Sequence, residues 1–108
     1  MAYDDVLAER LRDTLGDAPT LVEKKMFGGL AFMEQGNLLV GVMGDDLIAR
    51  IGPESQEAAL AQPGAREFDF TGRPMRGWVI VAGEVLDDDV LADWVVRARK
   101  YVLALPPK

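Results

Sequence analysis

From Thr20 to Ile51 the chain never carries an apolar run far before a turn residue interrupts it. The runs LVEKKMF, LAFMEQ, LLVGVM and DLIARI are separated by Gly28-Gly29, Gln35-Gly36-Asn37 and Gly44-Asp45-Asp46. Apolar runs this short, bounded by glycine and acidic turn residues, read as strands, because a helix needs about ten residues or more to bury a stripe. Gly36-Asn37 suits a primed hairpin turn, which needs left-handed backbone. The expectation is a meander of antiparallel strands with one core-facing side. Within DLIARI, Leu47, Ala49 and Ile51 alternate against Ile48 and Arg50, so Arg50 is expected to point away from one of those faces.

Both ends change period. Tyr3, Leu7, Leu11 and Thr14/Leu15 recur at helical spacing, with Asp4 and Asp5 at the start and Gly16 as the stop. From about Asp87 to Leu105 the stripe is longer: Val90, Leu91, Trp94, Val95, Ala98, Tyr101, Val102 and Leu105. Asp87-Asp88-Asp89 opens this helix, Arg97, Arg99 and Lys100 fall in its later half, and Pro106-Pro107 ends it. Between the two lie a short helix from Pro53 to Ala61, with proline at its first position, and two more strands in REFDF and GWVIVA, joined by Thr71–Arg76. The order is helix, three or four strands, helix, two strands, helix. Runs of strands rather than strict strand–helix alternation point to an α+β, two-layer sandwich, an antiparallel sheet with helices packed on one face. A length of 108 residues suits one domain, 1–108.

Two absences narrow the chemistry. The chain has no cysteine and no histidine, which removes thiolate nucleophiles, Cys- or His-based zinc sites and every Ser-His or Cys-His pair. No nucleotide loop is visible: FGGLAF lacks the G-x-G-x-x-G spacing and leads into a strand rather than a helix. Asp45-Asp46 and Asp87-Asp88-Asp89 lack EF-hand spacing and read as a turn and a helix start. Glu67 and Asp69 share one strand face, with Phe68 and Phe70 opposite, and read as a solvated pair. No catalytic residue, cofactor or metal is expected. No apolar run is long enough to span a bilayer, the N-terminus is acidic where a signal peptide would be basic, and a cytoplasmic protein is expected. The net charge of −6 opposes direct nucleic-acid binding.

The basic residues Lys24, Lys25, Arg50, Arg66, Arg73 and Arg76 all fall in the sheet region, where strands and loops can gather some of them. Arg73 and Arg76 lie in DFTGRPMRGW, just before Trp78. Three readings stay open for them: a partner-binding surface with Arg50 and Trp78, ion pairs with Asp69 or Glu67, or a small-anion site built from Arg50, Arg73 and Arg76. An enzyme using that cluster as a clamp, with Glu67 or Asp69 as base, is the alternative to a binding module.

Three blocks carry a family resemblance: KKMFGGLAFMEQGNLLVGV, LIARIGPE and FDFTGRPMRGWVIV. In this order and spacing they resemble the N-terminal domain of the TfoX/Sxy family of competence regulators, from about Val22 to the end of the chain. The matching positions are Lys25, Met26, Phe27, Gly28 and Gly29; Arg50, Gly52 and Pro53; and Thr71, Gly72, Arg73, Pro74, Met75, Gly77 and Trp78. The resemblance implies a two-layer fold similar to secretion chaperones. It also implies a non-enzymatic co-regulator whose partner is a protein, such as the cyclic-AMP receptor protein, with a homodimer as a further possibility. Full competence regulators of this family add a C-terminal helical domain, so the expectation is a stand-alone N-terminal module.

Overall fold

A computed structural model describes residues 3–16, 20–26, 28–69, 72 and 75–106. Helix α1 (Asp5–Leu15) leads into four strands, β1 (Leu21–Met26), β2 (Gly29–Glu34), β3 (Asn37–Met43) and β4 (Asp46–Arg50). A 3-10 turn at Pro53–Ser55 opens α2 (Gln56–Leu60), followed by β5 (Ala65–Glu67), β6 (Trp78–Val81), a second 3-10 turn at Gly83–Val85 and α3 (Asp88–Val102). The strands form one antiparallel sheet in the order β1-β2-β3-β4-β6-β5. The fold class is the α+β arrangement that the sequence pattern implies, with α1 and α3 on one face of the sheet.

Local chemistry sets the element ends. Asp4 is the N-cap of α1, its carboxylate accepting from the backbone N–H of Val6 at 2.9 Å and of Leu7 at 3.4 Å. Gly16 ends the helix at φ 71°. Asp87 caps α3 in the same way through the Val90 N–H. A helix the length of α1 is marginal alone in water. Its cap contributes about 1 kcal/mol, whereas each of its buried Leu7, Leu11 and Leu15 contributes roughly 1.5–3 kcal/mol. Docking therefore decides that α1 exists. Arg99 of α3 donates to the free Leu15 carbonyl at 2.6 Å, and Arg10 of α1 donates to the Leu86 carbonyl at 2.5 Å, tying the two helices together.

The β2–β3 turn differs from the sequence expectation. Glu34 pairs with Asn37, so the two turn residues are Gln35 and Gly36, both at positive φ (54° and 84°). Asn37 belongs to β3, where it is buried and donates to the Pro106 carbonyl at 3.0 Å. The C-terminal tail thus needs that amide.

The expectation of one core-facing side is also corrected. The main core fills the helix side of the sheet, with Phe32, Leu47, Val79, Leu11 and Trp94 among its members. A second cluster lies on the helix-free side: Ala31, Leu38, Ile48, Phe68 and Ile80, with Met26, Met33, Met43, Met75 and Trp78 packed against it. Strands β2, β3, β4 and β6 are apolar at consecutive positions and therefore cover both faces. A bulge opposite Phe32 and Met33 lets Leu39 and Val40 both join the main core while Leu38 joins the second cluster. Phe68 and Met75, which lie between β5 and β6 in the chain, both pack on the helix-free face.

At the outer edge, Arg12 of α1 grips Glu23 of β1 through two parallel bonds of 2.8 and 2.7 Å, and also bonds Glu9. Hydrogen bonding from Arg12 holds the Glu23 carboxyl below the usual carboxylate range, and the same pairing raises the Arg12 guanidinium. A depressed folded-state pKa contributes stability that is present above the unfolded value near 4.3 and lost as pH falls through the folded value. Both side chains keep more than a third of their surface in water, so screening limits the effect to about 1 kcal/mol or less. The expected result is that Glu23→Gln loses less stability than the native chain when urea unfolding is compared at neutral pH and at pH about 3.

Candidate interaction site at the end of the sheet

Two of the sequence blocks meet at the end of β4. The backbone N–H groups of Ile51 and Gly52 both donate to the Gly77 carbonyl, at 2.9 and 3.1 Å. The Gly77 N–H in turn donates to the Gln56 side-chain oxygen at 2.8 Å. Gly52 and Gly77 sit at φ 90° and 89°, where L side chains are strained. Added side-chain carbon would also collide, at Gly52 with the Tyr101 ring and at Gly77 with the Gly52-Pro53 backbone. The IGPE turn and the start of β6 are therefore interlocked at van der Waals contact, and both positions require glycine.

This junction presents Arg50 and Trp78, which face each other in the β4–β6 ladder. The Arg50 guanidinium carbon lies 5.3 Å from the Trp78 ring centre and 5.7 Å from that of Tyr101 on α3. Arg50 is half-buried and makes no ion pair with a described residue. Cation–π attraction of about 0.5–2 kcal/mol positions it while leaving its five N–H donors without a carboxylate. Arg76, two residues before Trp78, is exposed and likewise without an ion pair among the described residues. Trp78 stacks on Phe68, with ring centres 6.0 Å apart. Arg73 lies outside the described residues, as do Phe27, Phe70, Thr71 and Pro74.

The structure brings together only part of the basic set. Arg50 and Trp78 touch, and Arg76 is close to them in the chain. Arg66 instead pairs with Asp46 at 3.2 Å. Lys24 and Lys25 are exposed on β1, three strands from β4 and so roughly 14 Å away. Arg76 pairs with neither Asp69 nor Glu67, both of which are exposed. The REFDF strand is shorter than expected, ending at Glu67, and Phe68 beyond it is buried on the helix-free face. Asp46 bonds Arg66 and the Gly83 N–H, and Asp87 is a cap. Among the described residues no group of three metal-ligating side chains converges.

A cleft of about 470 Å³ lies beside the junction, lined by Ile51, Gly52, Pro53, Glu54, Ser55, Arg97, Lys100 and Tyr101. Neither Arg50 nor Arg76 lines it. No helix among the described residues is long and apolar enough to cross a membrane.

Sequence reasoning missed Tyr101, whose place in the α3 stripe reads as core, and Gln56, whose role depends on where the chain returns. It also missed the shared location of the methionines. Alternation along β2 and β3 was the available signal, since Met33 falls opposite in phase to Phe32.

The family model described as the TfoX N-terminal domain matches residues 13–101, most of the chain. No curated protein and no solved structure matches.

Proposed function

The chain belongs to the TfoX N-terminal domain family, and from that premise we propose that it is a regulatory protein-interaction module with no catalytic chemistry of its own. Its partner surface is the Arg50–Trp78–Arg76 end of the sheet, and Arg73, which lies outside the described residues, is a further contact on this reading. One observation carries this reading: Arg50 is held beside two aromatic rings with no carboxylate to neutralise it. Trp, Tyr and Arg are the residues that most often dominate binding energy at interfaces. An arginine already oriented by ring faces loses less side-chain freedom on binding than a free one. Internal packing explains Trp78 against Phe68, but it does not call for a cation at Arg50 or at Arg76.

The partner is a protein with an acidic patch. By family resemblance it is a transcription factor such as the cyclic-AMP receptor protein, which would set the module in the cytoplasm. The test is affinity capture with the full chain, comparing the native protein with Arg76→Glu and with Arg50→Gln/Arg76→Glu. Arg76 is exposed and unbonded, so its replacement leaves stability within about 0.5 kcal/mol, and any binding loss is not a folding loss. The expected result is a partner whose affinity falls about tenfold or more with Arg76→Glu and further in the double variant. Unchanged capture by both variants at unchanged melting temperature removes the site from the account.

A further inference from the structure

We propose that the cleft of about 470 Å³ beside the junction is a binding site for a small sugar phosphate. Its volume lies within the range of about 300–1,000 Å³ typical of small-molecule sites and exceeds what a bare ion fills. One wall is the turn after β4, which brings Glu54 and Ser55; the other is α3, which brings Arg97, Lys100 and Tyr101. These three helix positions lie one turn apart and so share a face. Both walls are held before any ligand arrives. The Gly52 N–H donates to the Gly77 carbonyl at 3.1 Å, and the Ser55 N–H donates to the Gly52 carbonyl at 3.2 Å. The Tyr101 ring packs on Gly52 and lies 5.7 Å from the guanidinium carbon of Arg50. Neither Arg50 nor Arg76 lines the cleft, so the proposal is independent of the partner surface.

The polar groups of this lining are unspent. The Ser55 and Tyr101 hydroxyls, the Glu54 carboxylate and the Lys100 ammonium make no hydrogen bond or ion pair with a described residue. Arg97 donates through Nε to Asp93 at 2.9 Å and lies over the Trp94 ring, which leaves its terminal nitrogens available. Glu54 lines the same cleft as Arg97 and Lys100 yet pairs with neither. Opposite charges thus face one cavity without meeting, and a ligand that satisfies both walls carries an anion at one end and donors at the other. A phosphate monoester, with a charge of about −1.5 to −2 and three acceptor oxygens at neutral pH, matches two cations and two hydroxyl donors. A carboxylate, with one charge and two oxygens, leaves part of that set unused. Sugar hydroxyls supply donors for Glu54, as carboxylates hold ribose hydroxyls in dinucleotide sites. Repulsion between Glu54 and phosphate then fixes the orientation, with the phosphate against α3 and the sugar against the turn. Pro53 and the Tyr101 ring give the apolar surface that the C–H face of a sugar covers.

The test is amide NMR of the full chain, titrated in parallel with a ribose phosphate, a glucose phosphate, unphosphorylated ribose and inorganic phosphate. At least one sugar phosphate is expected to shift the Gly52, Glu54, Ser55, Lys100 and Tyr101 signals saturably. It is expected to bind about tenfold or more tightly than ribose or inorganic phosphate. Lys100→Glu is expected to weaken that binding about tenfold or more. Glu54→Gln is expected to shrink the preference for sugar phosphate over inorganic phosphate, because it removes the sugar's charged acceptor and lifts the repulsion of phosphate. Both side chains are exposed and unbonded, and the spectrum itself reports whether each variant is folded. Equal affinity for inorganic phosphate and the sugar phosphates overturns the proposal, since the cleft then takes an adventitious ion only. Shifts confined to residues outside the cleft, or no saturable shift with either sugar phosphate, overturn it as well. So does an affinity that both variants leave unchanged in folded protein.

Discussion

Phe68→Ala is expected to cost about 3–5 kcal/mol of stability, the range for truncating a fully buried aromatic. Only 1% of Phe68 is exposed, although it lies just beyond the end of β5 in the chain. Its ring fills the helix-free face, stacks on Trp78 and anchors one end of the β5–β6 connection. The Phe68 carbonyl also accepts from the Met75 N–H at 2.9 Å, so the side chain and backbone at this position close the connection together. Against a total of about 5–15 kcal/mol for a domain of this kind, the loss should lower the melting temperature by more than about 10 °C. Trp78 would lose its stacking partner, so its fluorescence should shift to the red even in the fraction still folded. Phe68→Leu should recover most of the stability but not the stacking. A Phe68→Ala protein that melts within a few degrees of the native chain would mean that the second cluster is not a core.

The second large effect is expected at Gly52, for a different physical reason. Alanine there meets a positive φ, a cost of about 1–3 kcal/mol, and its methyl group overlaps the Tyr101 ring, adding about 1–3 kcal/mol of overpacking. Gly52→Ala should therefore destabilise by about 2–6 kcal/mol in urea unfolding. The two contributions separate in a double-mutant cycle, because Tyr101→Ala relieves the overlap and leaves the backbone strain. Gly52→Ala in the Tyr101→Ala background should then cost only the strain part. The same substitution displaces one of the rings that orient Arg50, so partner affinity should fall further than the loss of folded protein accounts for. Full additivity of the two substitutions would show that the ring and the turn are not in contact.

Much of the architecture is legible in the chain because its signals are local. The Leu7–Leu11–Leu15 and Leu91–Trp94–Val95–Ala98–Val102 stripes give the helices, and glycines at 28, 36 and 44 give the turns. The Asp4 cap is a matter of a residue type at a helix start. The two-sided sheet is equally present, since LLV and WVIV are apolar at successive positions, but a search for alternation passes over it. At the site, Arg50, Trp78 and Arg76 can be picked out by residue type and by their family blocks. What joins them cannot. Gln56 reaches Gly77, Tyr101 closes on Gly52, and Arg66 leaves the basic set for Asp46, all through contacts between residues far apart in sequence. Such contacts depend on the order in which strands enter the sheet, with β6 beside β4 and β5 outside it. Local periodicity does not encode that order.

The most direct test of the account is position-resolved photocrosslinking of the full chain in cells, with a photoreactive residue at Arg76 and, separately, at Asp13 on the exposed side of α1. The account predicts a crosslinked protein from position 76 that is absent from position 13 and is lost when Arg50→Glu is added. The same protein crosslinked from position 13, with nothing from position 76, would place the partner on the helix layer and contradict the assignment of the Arg50–Trp78–Arg76 surface.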